Sequence, residues 1–346
     1  MNPTPALVGW DIGGVNTKVA RLPAEGDGSS LRSLCLPYEI KGAPGALVTT
    51  LKDAARRIGS EAGDLHAVTM TAELSQAFRT KREGVRFILD ALEQALGGAA
   101  LNIYSVEGRF ITSAEARELP LTVAAANWAA TAAFVARTIP TCVLLDIGTT
   151  STDLVPIVDG RVVAEGRTDP GRLLSGELVY TGAVRTPVEA VAREVPLWGG
   201  SASVGADGFA LIGDAHLWLG RLPREDYTCA TPDGFPPTRE SAGQRLARIV
   251  CGDREMVDDT ALQDIAAALA RAQVGTVVRA LERILARWPT IGAAVVTGVG
   301  DFIAAEAAAA VNLRIVRLSD SLGDAARAAP AAAVAWLLRL SRDSAA

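Results

Sequence analysis

Two stretches of this chain follow one plan. Residues 8–22 read VGWDIGGVNTKVARL and residues 143–157 read VLLDIGTTSTDLVPI. Each runs from apolar residues into Asp-Ile-Gly, passes through small polar residues and returns to apolar ones. That order predicts a strand, a tight Gly-bearing turn and a second strand. A chain that writes the same hairpin twice, at Asp11 and again at Asp146, is constrained to two similar halves. With 346 residues, 49% of them hydrophobic, it has material for a core in each. We place the division at Pro140, with an N-terminal lobe over residues 1–140 and a C-terminal lobe over 141–346.

The intervening sequence reads as mixed α/β. Residues 65–74 alternate into a strand whose end delivers Thr71 and Glu73. Residues 83–96 put Val85, Ile88, Leu89, Leu92 and Leu96 on one helical stripe that Gly97-Gly98 closes. A short strand pair is expected over 102–112 and one small-residue helix over 121–139. Residues 172–236 are rich in Gly, Pro and turns and read as an irregular insertion, where specificity often resides. A helix over 237–251 has Thr238 as its N-cap. Another over 274–288 aligns Val274, Val277, Val278, Leu281, Leu285 and Trp288. Strand, Gly turn and Ala-rich helix follow over 293–311, then a strand over 313–320 and a closing helix near 323–341.

Composition narrows the function. The net charge of −5 and pI near 5.3 give no basic surplus for nucleic acid or an anionic membrane. Four scattered cysteines, Cys35, Cys142, Cys229 and Cys251, form no CxxC pair and read as free thiols. Two histidines, His66 and His216, are too few for a multi-His metal centre and read as structural. The opening MNPTPALVGW lacks a basic start and a long apolar core, so no signal peptide is expected. No apolar run reaches membrane-spanning length, and a cytoplasmic protein acting on small anionic metabolites is the expectation. Oligomers are possible.

The turns carry the chemistry. Aligned, Asp11 meets Asp146, Gly13 meets Gly148, Gly14 meets Thr149, Thr17 meets Thr152 and Lys18 meets Asp153. Gly13 and Gly14 are expected to permit positive φ and a close backbone approach. Gly148 with Thr149 and Thr150, and Asn16 and Thr17 in the first copy, offer N–H, amide and hydroxyl donors to phosphate oxygens. Asp11 and Asp146 suit Mg²⁺ against a diphosphate, and Lys18 adds a point positive charge. A third turn, Thr297-Gly298-Val299-Gly300-Asp301, joins strand to helix. Any one of these alone reads as an ordinary turn. In order along the chain they read as two hairpins facing each other across a cleft and clamping a polyphosphate.

At these residues the sequence resembles the acetate kinase/sugar kinase/Hsp70/actin superfamily. DIGGVNTK is similar to its first phosphate loop, LLDIGTTSTD to its second and VVTGVGD, with Gly298 and Gly300, to its adenosine-side turn. The resemblance implies a two-lobed α/β fold of duplicated RNase H-like domains with a cleft between the lobes. Over nearly the whole chain, TMTAELSQAFRTKREGVRFI, ANWAATA, DIGTTSTDLVPI, GELVYTGAVRTPV and RLARIVCGD resemble one family. It is the hydantoinase/oxoprolinase-like group tied to tetrahydromethanopterin-linked one-carbon transfer. That resemblance implies a synthase of methanofuran or methylofuran biosynthesis. It would join an (aminomethyl)furan-methyl diphosphate to the phenol oxygen of a glutamylated tyramine or tyrosine, releasing diphosphate.

Such a reaction needs a clamp on the leaving diphosphate, exclusion of water and a base for a phenol whose ordinary pKa is near 10. Asp153 and Glu73 are the candidate bases. Asp153 reads equally as a turn carboxylate supporting the metal, and Glu73 as the cap of a helix over 74–82. In the basic run Arg79–Arg82, Lys81 stands inside the family-like segment and is the candidate for acceptor carboxylates. Arg185 is a candidate for substrate carboxylate or diphosphate, or a brace for its loop. Tyr180 suits either ring stacking or packing, and Asn127 and Trp128 suit helix packing. Two other readings stand beside the synthase. One is an ATP-dependent small-molecule kinase or hydantoinase/oxoprolinase-like ATPase, with ATP as cofactor. The other is a non-catalytic actin-like nucleotide-binding protein.

Overall fold

Both copies of the repeated stretch fold as antiparallel hairpins, and each lies in a sheet whose strand order corresponds over five strands. The structure is a computed structural model that describes residues 5–24 and 31–343. Met1–Thr4, part of the stretch read above as lacking a leader, lie outside the described residues. In chain order the first strands are β1 (Leu7–Ile12), β2 (Asn16–Leu22), β3 (Arg32–Pro37), β4 (Leu65–Met70), β5 (Leu101–Tyr104) and β6 (Phe110–Thr112). They form one sheet in the order β3-β2-β1-β4-β5-β6. After them come β7 (Cys142–Ile147), β8 (Thr152–Val158), β9 (Arg161–Val162), β10 (Leu178–Val179), β11 (Glu194–Leu197), β12 (Gly200–Ser203), β13 (Ala293–Thr297) and β14 (Arg314–Arg317). The second sheet runs β10-β8-β7-β13-β14, with β9 on β8, and β11 pairs only with β12.

The correspondence extends to direction. β1 is antiparallel to β2 and parallel to β4, and β7 is antiparallel to β8 and parallel to β13. Asp11 pairs with Lys18 across its hairpin and with Thr69 across the parallel ladder; Asp146 pairs with Asp153 and Thr297 at the same two places. The repeat in sequence is therefore a repeat in topology, and the two-lobed α/β expectation holds.

Packing follows from the apolar stripes. One face of the first sheet buries Val8, Trp10, Ile12 and Val68 against the helices Leu47–Ile58 and Lys81–Ala95. The second sheet buries Val143, Leu145 and Val296 against Asp259–Arg287 and Asp301–Ala310. Between the sheets a shared core joins Leu7 and Leu22 of the first to Leu144 and Val155 of the second. Two Ala-rich helices, Asn127–Val135 and Ala329–Asp343, contribute to it. The last helix packs on β1, β2 and β4, so the C-terminal end of the chain returns to the first sheet.

Three elements depart from the sequence reading. The helix expected over 121–139 is broken: Ala124 bridges Met70, Ala125 takes φ 53°, and the helix proper is Asn127–Val135. A backbone pairing that no local propensity encodes interrupts it. The helix expected over 274–288 starts fifteen residues earlier and spans Asp259–Arg287. Asp258 caps it by accepting from Ala261 N at 2.8 Å. Its buried stripe continues through Ala266 and Ala270, which a reading keyed to large side chains passes over. The closing helix begins at Ala329, after two short turns. Thr238 does cap Arg239–Arg248. The four cysteines are free, and no helix among the described residues is long and apolar enough to cross a membrane.

Candidate active site

The two turns share one wall-to-wall space. Gly13 N–H donates to Asn16 O at 3.0 Å in the first turn, and Gly148 N–H to Ser151 O at 3.0 Å in the second. Both turns line a cavity of about 380 Å³, together with Asp11, Lys18, Asp146 and Asp153. Among the described residues the amides of Gly14, Val15, Thr149 and Thr150 donate to no acceptor. Consecutive unused N–H groups on a bend are an anion-binding arrangement. Neither Gly13 nor Gly14 has positive φ, contrary to expectation. Gly13 is required for a different reason, because a Cβ there would meet Asn16 O at 2.6 Å, whereas one on Gly14 would meet nothing.

Burial makes the charges here strongly interdependent. Lys18 Nζ lies 3.5 Å from Asp11 Oδ2. Burial works against the lysine's charge, but Asp11 and Asp146 outweigh it and its pKa is raised. Asp11 is also raised, by burial, with Lys18 pulling the other way. Burial pushes Asp146 up to about 7 against the same lysine. The carboxylates Asp11, Glu39, Glu73, Asp146, Asp153 and Asp169 line the cavity with the cations Lys18, Lys41, Arg172 and Arg185, and Lys81 reaches Glu73 and Asp169, so the charges are close to balanced. Asp11 Oδ1 is buried with no hydrogen-bond partner, and Asp146 accepts none among the described residues. An orphaned buried carboxylate oxygen is the kind of group a hard divalent cation takes as a ligand. Among the described residues, however, no group of three or more His, Cys, Asp or Glu side chains is arranged to hold a metal. Protein ligation by Asp11 and Asp146 would therefore leave most of the ion's coordination to substrate and water.

A second ring of contacts was not legible in the sequence. Arg172 Nη1 donates to Asp153 Oδ1 at 2.6 Å and Nη2 to Glu177 O at 2.8 Å, while its guanidinium lies 4.2 Å from the Trp128 ring centroid. Arg172 and Trp128 are buried and line the cavity. Asp153, read as a candidate base, is thus held in a buried ion pair. Glu73 is buried and lines the cavity; burial pushes it up to about 7 although Lys81 lies 3.3 Å away. Its Oε2 has no partner. It caps no helix over 74–82, because that segment is a short turn and coil ahead of Lys81–Ala95.

The other expected residues divide. Asn16, Thr149, Thr150 and Arg185 line the cavity. Thr17 does not: it is fully buried in β2, and strand alternation turns it away from the face that Lys18 presents. Lys81 does not line this cavity but bonds two residues that do, Glu73 and, from across the lobes, Asp169 at 2.5 Å. That pairing occupies its charge. Tyr180 is exposed, which removes its packing role. Gly298 lines a second, smaller chamber of about 250 Å³ that shares Asn16, Lys18, Asp146, Gly148 and Thr149 with the first. It takes φ 92°, and a Cβ there would meet Ile147 O at 2.3 Å and Asp146 Oδ1 at 2.6 Å. Gly300 lines neither chamber and donates to Ile147 O.

The segment after β10 clamps the second turn. Ala183 N donates to Gly148 O, and Arg185 N to Thr149 O at 3.0 Å. Gln273 of the long helix donates to Gly182 O at 2.7 Å and Thr181 Oγ1 at 2.9 Å, and His216 orients Gln273 at 2.7 Å. His216 is therefore structural, as expected, and so is His66, which accepts from Trp10 Nε1.

Comparison with known proteins gives this geometry a context. Residues 64–339 match the Hydantoinase/oxoprolinase family. The chain is 38% identical over 97% of its length, and 98% of the other's, to a Methanocaldococcus jannaschii protein. That protein is named (4-{4-[2-(gamma-L-glutamylamino)ethyl]phenoxymethyl}furan-2-yl)methanamine synthase. A synthase of the same name from Methanococcus vannielii is 29% identical over 57% of this chain and 90% of its own. Among solved structures, nucleotide-free acetone carboxylase overlays with a TM-score of 0.53 at 12% identity, covering 96% of this chain and 70% of that one, a likeness of fold.

Proposed function

Because the chain belongs to the hydantoinase/oxoprolinase family, and its relatives are synthases of a (phenoxymethyl)furan methanamine, we propose that it is an ether-forming synthase of methanofuran or methylofuran biosynthesis. The substrates are an (aminomethyl)furan-methyl diphosphate and the phenol of a glutamylated tyramine or tyrosine. The observation that carries the reading is the pair of Asp-bearing turns lining one cavity with unused amides on both sides.

The carbon–oxygen bond to diphosphate breaks as the phenol oxygen bonds to the same carbon. The leaving group gathers negative charge, which Lys18 and the amides of both turns, all lining the cavity, would receive. Mg²⁺ held by Asp11 and Asp146 would neutralise part of the diphosphate charge when bound. The phenol proton needs an acceptor. Asp153 is engaged by Arg172, whereas Glu73 keeps a free buried oxygen and titrates near 7. Glu73 is therefore the base, since a carboxylate of raised pKa is a better proton acceptor at neutral pH. Thr149 and Thr150 hydroxyls orient the leaving group.

The test is incubation of the protein and Mg²⁺ with the furan diphosphate and γ-glutamyltyramine in the absence of ATP. Ether formation with equal diphosphate release is expected. One observation favours a second reading: the smaller chamber adjoins Gly298 and both turns, where an ATP-dependent enzyme would seat its nucleotide. Phosphate release from ATP, with no ether product, would establish that reading instead.

A further inference from the structure

The two chambers have different linings, and the difference assigns one of the reaction's partners. Three of the chain's exposed large apolar side chains line the larger chamber: Leu74, Leu173 and Tyr180, at 54%, 47% and 60% exposure. Such residues are exposed and yet line a cavity only at its mouth. Among the described residues no exposed large apolar side chain lines the smaller chamber. The cations differ as well. At the larger chamber Lys41 is exposed with no ion pair among the described residues, and Arg185 reaches only Glu39 at 3.6 Å across the lobes. A long, partly exposed contact of that kind contributes little and yields readily to a better carboxylate. In the smaller chamber Arg327 is already paired with Asp226 at 2.6 Å.

We propose that the mouth of the larger chamber is the acceptor subsite. Leu74, Leu173 and Tyr180 take up the aromatic ring, and Arg185 with Lys41 receives the glutamyl carboxylate. An aromatic body with an anionic tail matches an apolar collar edged by an unpaired lysine and an arginine held only loosely by Glu39. The phenol end then points inward to Glu73, which lines the same chamber. The assignment moves acceptor recognition away from Lys81, whose charge is spent on Glu73 and Asp169. It rests on the synthase reading for the identity of the acceptor, and it goes beyond that reading in naming what selects it.

The experiment compares γ-glutamyltyramine with tyramine as acceptors for the wild type, Arg185→Gln, Lys41→Gln and Leu173→Ser with Tyr180→Ser. The wild type prefers the glutamylated acceptor. In Arg185→Gln that preference shrinks about tenfold through KM, with a smaller loss for Lys41→Gln. The collar variant raises KM for both acceptors by a similar factor. Changes confined to the KM of the furan diphosphate, or an unaltered preference in Arg185→Gln, overturn the assignment. Should the wild type make no ether, the synthase reading fails by itself. The subsite is then read by calorimetry with γ-glutamyltyramine alone: binding weakened in Arg185→Gln supports it, and no binding to the wild type overturns it.

Discussion

In the first hairpin Asp11 faces a lysine; in the second, Asp146 faces another aspartate. The backbones agree turn for turn, down to the closing bond from Gly13 or Gly148. The difference sits at one register position, and the rest of the molecule is adjusted to it. Lys18 is a quarter exposed and reaches Asp11 at 3.5 Å, a loose neutralisation that leaves the ammonium free to meet an anion. Asp153 is tightly held by the buried Arg172, a residue from outside the repeat. One hairpin carries its own counter-charge and the other borrows it. The parallel neighbours differ too. Four residues beyond the equivalent Thr69 and Thr297 stand Glu73, buried in the cavity, and Asp301, paired with Arg317 at 2.7 Å. A duplicated scaffold thus carries an Asp–Lys pair at one turn and two aspartates at the other, with Glu73 a further buried carboxylate contributed beside the first.

The borrowed charge offers the largest effect by which to break this comparison. Arg172→Met strands a buried Asp153 carboxylate and should destabilise the protein by about 3–5 kcal/mol, with Asp153→Leu in the same chain restoring most of the loss. Lys18→Met should cost less, because the Lys18–Asp11 contact is long at 3.5 Å and its lysine is a quarter exposed, whereas Arg172 is buried and bonds Asp153 at 2.6 Å. Denaturant unfolding of the variants reads the difference, and equal costs would show that the hairpins are neutralised alike.

Next in size are the aspartates that the hairpins share. Asp11→Asn and Asp146→Asn should each lower turnover by about 100-fold or more, with the fold intact. Asp146→Asn should at the same time melt higher than the wild type at pH 8, since it removes a charge that burial opposes. A variant that keeps its rate would remove that aspartate from the site.

Sterics at the turns follow. Gly13→Ala drives a Cβ into Asn16 O and should cost about 1–3 kcal/mol. Gly148→Ala, whose Cβ would sit 3.7 Å from Ser151 O, should be tolerated. Similar melting temperatures for the two variants would contradict the asymmetry.

The smallest effects are in pH. As the proposed base, Glu73 would have to be ionised to accept a proton, so turnover should fall as pH drops through about 7. Lys81→Met removes the ammonium that favours the ionised form and should move that limb upward, by less than about one pH unit. Stability runs the other way. Glu73 and Asp146 titrate near 7 folded and near 4 unfolded. Their support for folding is complete below about pH 4 and is lost as pH rises through about 7. Mg²⁺ should therefore raise the melting temperature more at pH 8 than at pH 5. An equal gain at both would separate the metal from these carboxylates.

The repeated Asp-Ile-Gly stretches determined by themselves that there would be two hairpins, and the apolar periodicities marked several strands and helices, but not β3, the helix Leu47–Ile58 or the strand order. These signals are local: alternation and 3.6-residue stripes are properties of a short window, and Gly and Asp mark a turn wherever it occurs. Asp11, Lys18, Asp146 and Thr149 could be singled out from the sequence for the same reason, since each stands at a fixed offset from a turn, and all four line the cavity. Tertiary structure alone decided that the turns share a cavity, that Arg172 reaches Asp153, that Trp128 lies under that guanidinium and that Lys81 closes onto Asp169. Each of these joins segments brought together by packing, and the strength of each depends on burial. No window of sequence contains the partner of a buried charge, so the chemistry of the cleft becomes readable only once the two lobes have closed around it.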